Sequence, residues 1–391
     1  MKHEMKTVSG VPAFNGRQGK QCSYVAALEG ILTFHGEDYD YVDLMALCGA
    51  AFRLRWVGAT WDDICGGRLH PGAAASACFG GHPESLAEVT GYAFEGRGLM
   101  SAGADKEIEL LRAEIAAGRP ALALNAHNGS QWCVIAGYDP EVLGKVKDED
   151  SPPGLICRSC YDDSDAEYGH TPCFPWEVRA IRKTSDPLPR EDAVRNSLRR
   201  AVELIGTPTA KVTGGGGWFW HYKDEYALGL AAYDAWAADL EDEAGIEALK
   251  PEHFMTYWQS CAYLYDQLHD SRRAAADYLR RVSSVFGSRE EALLEQAAAS
   301  MDELVGLLTD GFPCFPFLAG GYRHPNGWYT TGEEHEDFRG HRIPAHAPEW
   351  PAEVRRNAVD LLQKAREKEE AILKLLGQGL NAPSSEGKQP K

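Results

Sequence analysis

Cysteine 22 stands where a polar, glycine-containing loop, "GRQGKQ", gives way to the apolar run "CSYVAALEGIL". Val25, Leu28, Ile31 and Leu32 recur at three- and four-residue spacing, which predicts a helix with one apolar face and Cys22 at its amino-terminal end. The partial positive charge of a helix amino-terminus favours thiolate over thiol, so a cysteine there is either a nucleophile or an ordinary packed side chain. Gln18 and Gln21, just upstream, carry amide donors that could face an oxyanion on a carbonyl attacked by Cys22.

Other groups have chemistry-like spacing. Cys157-Arg-Ser-Cys160 resembles one half of a zinc site, but no second pair follows and a strand would turn the two thiols to opposite faces, so no metal is expected. His335, His341 and His346 lie among acids in "GEEHEDFRGHRIPAH" and read as a solvated loop. Four consecutive glycines at 214–217 lack the lysine-serine or lysine-threonine ending of a phosphate loop and read as a hinge. Phe312, Phe315, Phe317, Tyr322, Trp328 and Tyr329 fall in an irregular stretch, where aromatics plug an interface between domains or line a pocket.

The elements that must hold these groups alternate in the first half. A helix at "DKEIELLRAEIAAG" leads into a strand at "RPALALNA", followed by strands at "QWCVIAGYD", "GLICRSCYDD" and "WEVRAIRK". Their order predicts an antiparallel meander. After the proline-bearing linker "TSDPLPRED" the pattern becomes helical, with Trp258, Cys261, Tyr265 and Leu268 on one face and Val354, Ala358, Leu361 and Ala365 on another. The expected fold class is α+β: an amino-terminal domain over 10–185 with an antiparallel sheet, a helical carboxy-terminal domain over 190–380, and a disordered tail at 381–391.

The pieces "QGKQCSYVAALEGIL", "GRPALALN", "QWCVIAGYD" and "CYDD", in that order, resemble the papain-like fold. The likeness is to the bacterial branch that holds bacteriocin leader peptidases and the amino-terminal domain of the butirosin-biosynthesis acyltransferase. It implies a papain-like amino-terminal domain and cysteine-nucleophile acyl chemistry, either acyl transfer or amide hydrolysis, on a small molecule, a peptide or an acyl-carrier thioester, in secondary metabolism. It implies Cys22 as nucleophile, Gln18 as oxyanion donor and Asp162 as the acid that orients a base; Asp162 reads otherwise as a strand-end turn residue.

In that family the strand carrying "V-I-x-G-Y-D" begins with the histidine that serves as base, and here the position holds Gln131. An amide cannot accept the thiol proton, so Gln131 leaves two readings. A replacement base comes from elsewhere, His127 or His170 being candidates, or the chain is a non-catalytic binding module, a pseudoenzyme that keeps a ligand in the old cleft. His127 is four residues upstream of Gln131, roughly 13 Å along a straight strand. It reads either as a polar loop residue or as a base folded back by Asn128-Gly129. With Gln131 in place, Asp162 is expected to accept from its amide. Cys133, two residues after Gln131, is expected on the face toward Cys22, as an inert buried thiol or as partner in a reversible disulfide.

Composition narrows the partners. A length of 391 residues with 44% hydrophobic and 25% charged content is globular. The formal net charge of −18 repels phosphate backbones and anionic lipid surfaces, so neither nucleic acid nor membrane is expected. The amino-terminal stretch has no continuous apolar run of a secretory signal, which points to the cytoplasm, where the ten cysteines stay reduced. No cofactor is implied, and no oligomeric state is specified.

Overall fold

The computed structural model describes residues 5–14, 19–56, 82–98, 104–126, 131–143, 145, 153–160, 162, 167–211, 225–249, 251–315, 334–336, 342–344 and 350–380. Gln18, His127, the four glycines, Phe317, Tyr322, Trp328, Tyr329, His341, His346 and the 381–391 tail lie outside the described residues.

A seven-stranded sheet organises the first half. Its strands are β1 (Lys6–Thr7), β3 (Tyr92–Gly98), β4 (Ala121–Leu124), β5 (Trp132–Tyr138), β6 (Leu155–Arg158), β7 (Gly169–His170) and β8 (Glu177–Lys183), with β2 (Arg55–Trp56) placed elsewhere. The order is β3-β8-β4-β5-β6-β7, with β1 also paired to β5. Every pairing is antiparallel. Strands β4, β5 and β6 form the expected meander. Edge strand β3, "YAFEGRG", is not among the strands read from the sequence. Gly96 is there because a Cβ would meet the Val178 carbonyl oxygen of β8 at 2.0 Å.

The strands alternate in what they bury until a bulge in β5 between Ile135 and Gly137 brings Tyr138 to the Cys133 face. Leu122, Leu124, Trp132, Val134, Ala136 and Ile181 face α1 (Ser23–Phe34). Ala121, Ala123, Cys133, Ile135, Cys157 and Val178 face a second, smaller core, where α4 (Ala104–Ala116) contributes Ile108, Leu111 and Ile115. Between them in the chain come α2 (Tyr41–Leu47) and α3 (His82–Thr90).

Helix α1 is not the one-faced helix its spacing predicts. Every residue from Ser23 to Leu32 except Glu29 is buried, because β4 and β5 pack on one side of it and α2 on another. The helical region consists of α5 (Arg190–Gly206), α6 (Leu230–Glu241), α7 (Pro251–Val282), α8 (Ser288–Asp310) and α9 (Ala352–Leu380), of which all but α6 are read from the sequence. One continuous apolar core runs from the α1 face of the sheet through α2 into α7, α8 and α9. The linker after β8 therefore joins two regions that share a core.

A small sheet of β2, β9 (Thr209–Lys211) and β10 (Glu225–Leu228) bridges the halves further. The helical region also buries an ion pair, Arg272 to Glu369 at 2.5 Å, with Arg272 donating to the Ala51 carbonyl at 3.0 Å. Phe315 stacks on Tyr265 with ring centroids 4.3 Å apart, and Phe312 meets the same ring edge-on at 5.3 Å. These two aromatics thus pack inside the helical region. Residues Glu334–Glu336 and Arg342–Pro344 pair as a short hairpin, so His335 sits on a strand and not in a loop. No helix among the described residues is long and apolar enough to cross a membrane.

Candidate active site

Cys22 is the amino-terminal cap residue of α1. Its backbone is extended (φ −85°, ψ 91°), its side chain makes no capping hydrogen bond, and it is 4% exposed. The preceding loop turns at Gly19, whose φ of +70° suits glycine.

That loop is held from 250 residues away. Arg273 of α7 donates to the Gly19 carbonyl at 2.8 Å and to Asp270 Oδ1 at 2.8 Å. Asp270 Oδ2 accepts from the Gln21 N–H at 3.2 Å and from the Tyr41 hydroxyl at 2.5 Å. The Tyr41 oxygen in turn accepts the Cys22 N–H at 2.9 Å. Glu29 closes the ring of contacts, accepting from Lys20 Nζ at 2.5 Å and from the Tyr41 N–H at 3.0 Å. Outside this network lies a cavity of about 220 Å³ lined by Lys20, Glu29, Asp40, Tyr41, Arg273 and Asp277. The consequence for chemistry is direct: the backbone N–H groups of Gln21 and Cys22 are both engaged.

Charges of both signs surround the thiol: the Asp270 carboxylate lies one hydrogen bond beyond Tyr41, and Arg53 supplies a cation. Arg53 is 3% exposed and lies within the electrostatic field of Cys22. Burial, and then repulsion from Arg55, lower its guanidinium to about 9, which still leaves it charged at neutral pH. A buried cation and a helix amino-terminus both favour the thiolate.

The start of β5 abuts this point. Ser23 Oγ accepts the Trp132 N–H at 3.0 Å. One residue earlier, the half-buried Gln131 accepts the Asn125 N–H on its carbonyl at 2.8 Å. Asn125 takes a φ of +65°, as a tight turn demands. Cys22 and Gln131 are thus each one residue from the same hydrogen bond.

Asp162 and Cys133 are placed elsewhere. Asp162 Oδ1 accepts from the Ser159 N–H and hydroxyl, both at 3.1 Å, and Oδ2 lies 3.6 Å from Arg158 Nη1. Among the described residues it receives nothing from the Gln131 amide, because Ser159 and Arg158 of its own turn reach it first. Burial pushes its carboxyl up, against the downward pull of Ser159 and Arg158.

Cys133 shares the second core with Cys157, and Trp132 is the residue that faces α1. The expectation that Cys133 points toward Cys22 is corrected by that alternation, and a disulfide between them would have to cross the sheet. Burial, then the neighbouring Cys157, Cys160 and Asp162, push the Cys133 thiol well up. Burial likewise raises Cys157 and Cys160, with Asp162 adding to both. No group of three or more histidine, cysteine or acidic side chains among the described residues is arranged to hold a metal ion. His170 is exposed on β7.

Sequence reasoning missed Tyr41, Asp270, Arg273 and Arg53. Asp266, Asp270 and Ser271 do interrupt the apolar pattern of α7, and buried polar residues in such a stripe are the one signal that was available. No protein-family model matches the chain, and no curated protein matches it either.

Proposed function

We propose that the chain carries cysteine-nucleophile acyl chemistry at Cys22, as an acyltransferase or amide hydrolase acting on a small molecule or peptide, with an acyl-carrier thioester as one donor. The observation that carries this reading is the setting of the thiol. The Cys22 side chain makes no capping hydrogen bond to α1, and Arg53 lies in its field. The likeness to the papain-like acyltransferase and leader-peptidase branch gives the same assignment.

In this reading His127 takes the Sγ proton and the sulfur bonds to the carbonyl carbon. The leaving group departs with the proton from the imidazolium. An amine or water then attacks the acyl-enzyme, gives its proton to His127 and restores the thiol. Gln18 is an oxyanion donor by the resemblance.

A second reading has its own support. Gln131 stands where the family keeps its base, and the Cys22 N–H is bound to Tyr41. Both favour a non-catalytic papain-like binding module. Incubation with an S-acyl thioester followed by intact-mass measurement separates the two. A covalent acyl adduct that disappears in Cys22→Ala supports the enzyme; an unmodified wild-type protein supports the binding module.

A further inference from the structure

A carbonyl attacked by Cys22 gathers negative charge on its oxygen, and hydrogen-bond donors must already be in place to receive it. The backbone donors nearest the thiol are engaged, Cys22 with Tyr41 and Gln21 with Asp270. Two buried side-chain donors on the elements that meet at Ser23, the residue after Cys22, are not. Among the described residues the Tyr24 hydroxyl and Trp132 Nε1 have no hydrogen-bond partner, although each residue is 1% exposed. Buried polar groups are nearly always paired, and a phenylalanine in place of Tyr24 would fill the space without the loss.

Their positions are fixed by the elements that fix Cys22. Tyr24 lies in the first turn of α1, and Trp132 opens β5 with its backbone on Ser23 Oγ. The two rings meet edge to face with centroids 5.2 Å apart. The Arg179 guanidinium sits 5.3 Å from the Trp132 ring centroid, adding a cation on this side of the sheet, with Glu177 as its partner at 2.5 Å. Burial holds the Tyr24 hydroxyl far above its ordinary value, so it stays a donor at any physiological pH.

We propose that the Tyr24 hydroxyl and the Trp132 indole N–H receive the carbonyl oxygen of the acyl group carried to Cys22. This rests on Cys22 being the nucleophile. When the sulfur bonds to carbon, the carbonyl π pair moves to oxygen and is held by these two donors. It returns as the leaving group departs with its proton. The substrate class is a neutral acyl carbonyl: ester, thioester or amide.

The test compares two reagents on the full chain, with modification of Cys22 followed by peptide mass. p-Nitrophenyl acetate forms an oxyanion; iodoacetamide alkylates by displacement and forms none. In Tyr24→Phe, acylation of Cys22 is expected to slow by about 100-fold while alkylation keeps its rate. The melting temperature should hold or rise, because the deleted hydroxyl has no partner. Trp132→Phe should show the same split between reagents. Unchanged acylation, or an equal fall with both reagents, overturns the donor assignment, as does a melting temperature lowered by loss of the hydroxyl alone. If wild-type Cys22 reacts with neither reagent, it is the nucleophile reading that fails, and the donor assignment falls with it.

Discussion

Cys22 and Cys133 are sealed on opposite faces of one sheet, 4% and 1% exposed, and the electrostatics around them differ. Cys22 has a helix amino-terminus and the Arg53 guanidinium. Cys133 has three other thiols, Cys157, Cys160 and Cys173, and the Asp162 carboxylate. Burial alone would make both inert. What separates them is that Cys22 has the Arg53 cation and a helix terminus beside the Asp270 network, whereas Cys133 has thiols and a carboxylate around it, a distinction that residue type does not carry.

Several substitutions can break or sharpen this contrast. The largest effect is expected at the Cys133 face. Asp162→Ala leaves Arg158 buried without its carboxylate and should cost about 3 kcal/mol in urea unfolding. It should also let Cys157 react with a thiol reagent at lower pH, since Asp162 raises that thiol. On the other face, Arg53→Met removes the cation near Cys22, and alkylation of Cys22 at pH 7 should slow by about tenfold, one pKa unit. An unchanged rate would leave the helix terminus as the only source of activation.

Tyr41→Phe should be milder. It frees the Cys22 N–H and takes one donor from Asp270, for a loss of about 1 kcal/mol of stability and a smaller change in Cys22 reactivity than Arg53→Met. A larger loss of reactivity would mean that the Tyr41 link positions the thiol.

The smallest effect is in pH dependence. Burial raises the folded-state values of Asp162 and Asp270 above the unfolded value of about 3.9. A carboxyl raised in this way favours the folded state fully below its unfolded value, and the contribution is lost as pH rises through the folded value. The gap in unfolding midpoint between wild type and Asp162→Asn should therefore shift in favour of wild type as pH falls through the folded-state value of Asp162. A gap that shifts the other way as pH falls would contradict the assigned direction.

How much of this was legible beforehand depended on sequence distance. The β4, β5, β6 meander and helices α5, α7, α8 and α9 were readable because their apolar periods are local. So was Cys22 at the start of α1. Burial of α1 on all sides was not, since β4 and β5 reach it from about a hundred positions further along the chain. Separation along the chain also hid the link from Asp270 to Gln21 and the link from Tyr41 to Cys22. Cys133 was misplaced for a different reason: it was counted forward from Gln131, whereas the face is set by Trp132, which the strand turns toward α1. Asp162 was assigned by motif to the Gln131 amide, and its own turn supplied nearer donors.

The central claim is that Cys22 is an activated thiol among buried inert ones. The most direct measurement is the rate of iodoacetamide alkylation at each cysteine from pH 5 to 10, read by peptide mass on the folded protein. The account predicts that Cys22 labels first, with a midpoint below the ordinary thiol value of about 8.5, while Cys133, Cys157 and Cys160 stay unlabelled until well above it. Cys22 labelling no earlier and no faster than Cys133 would contradict it.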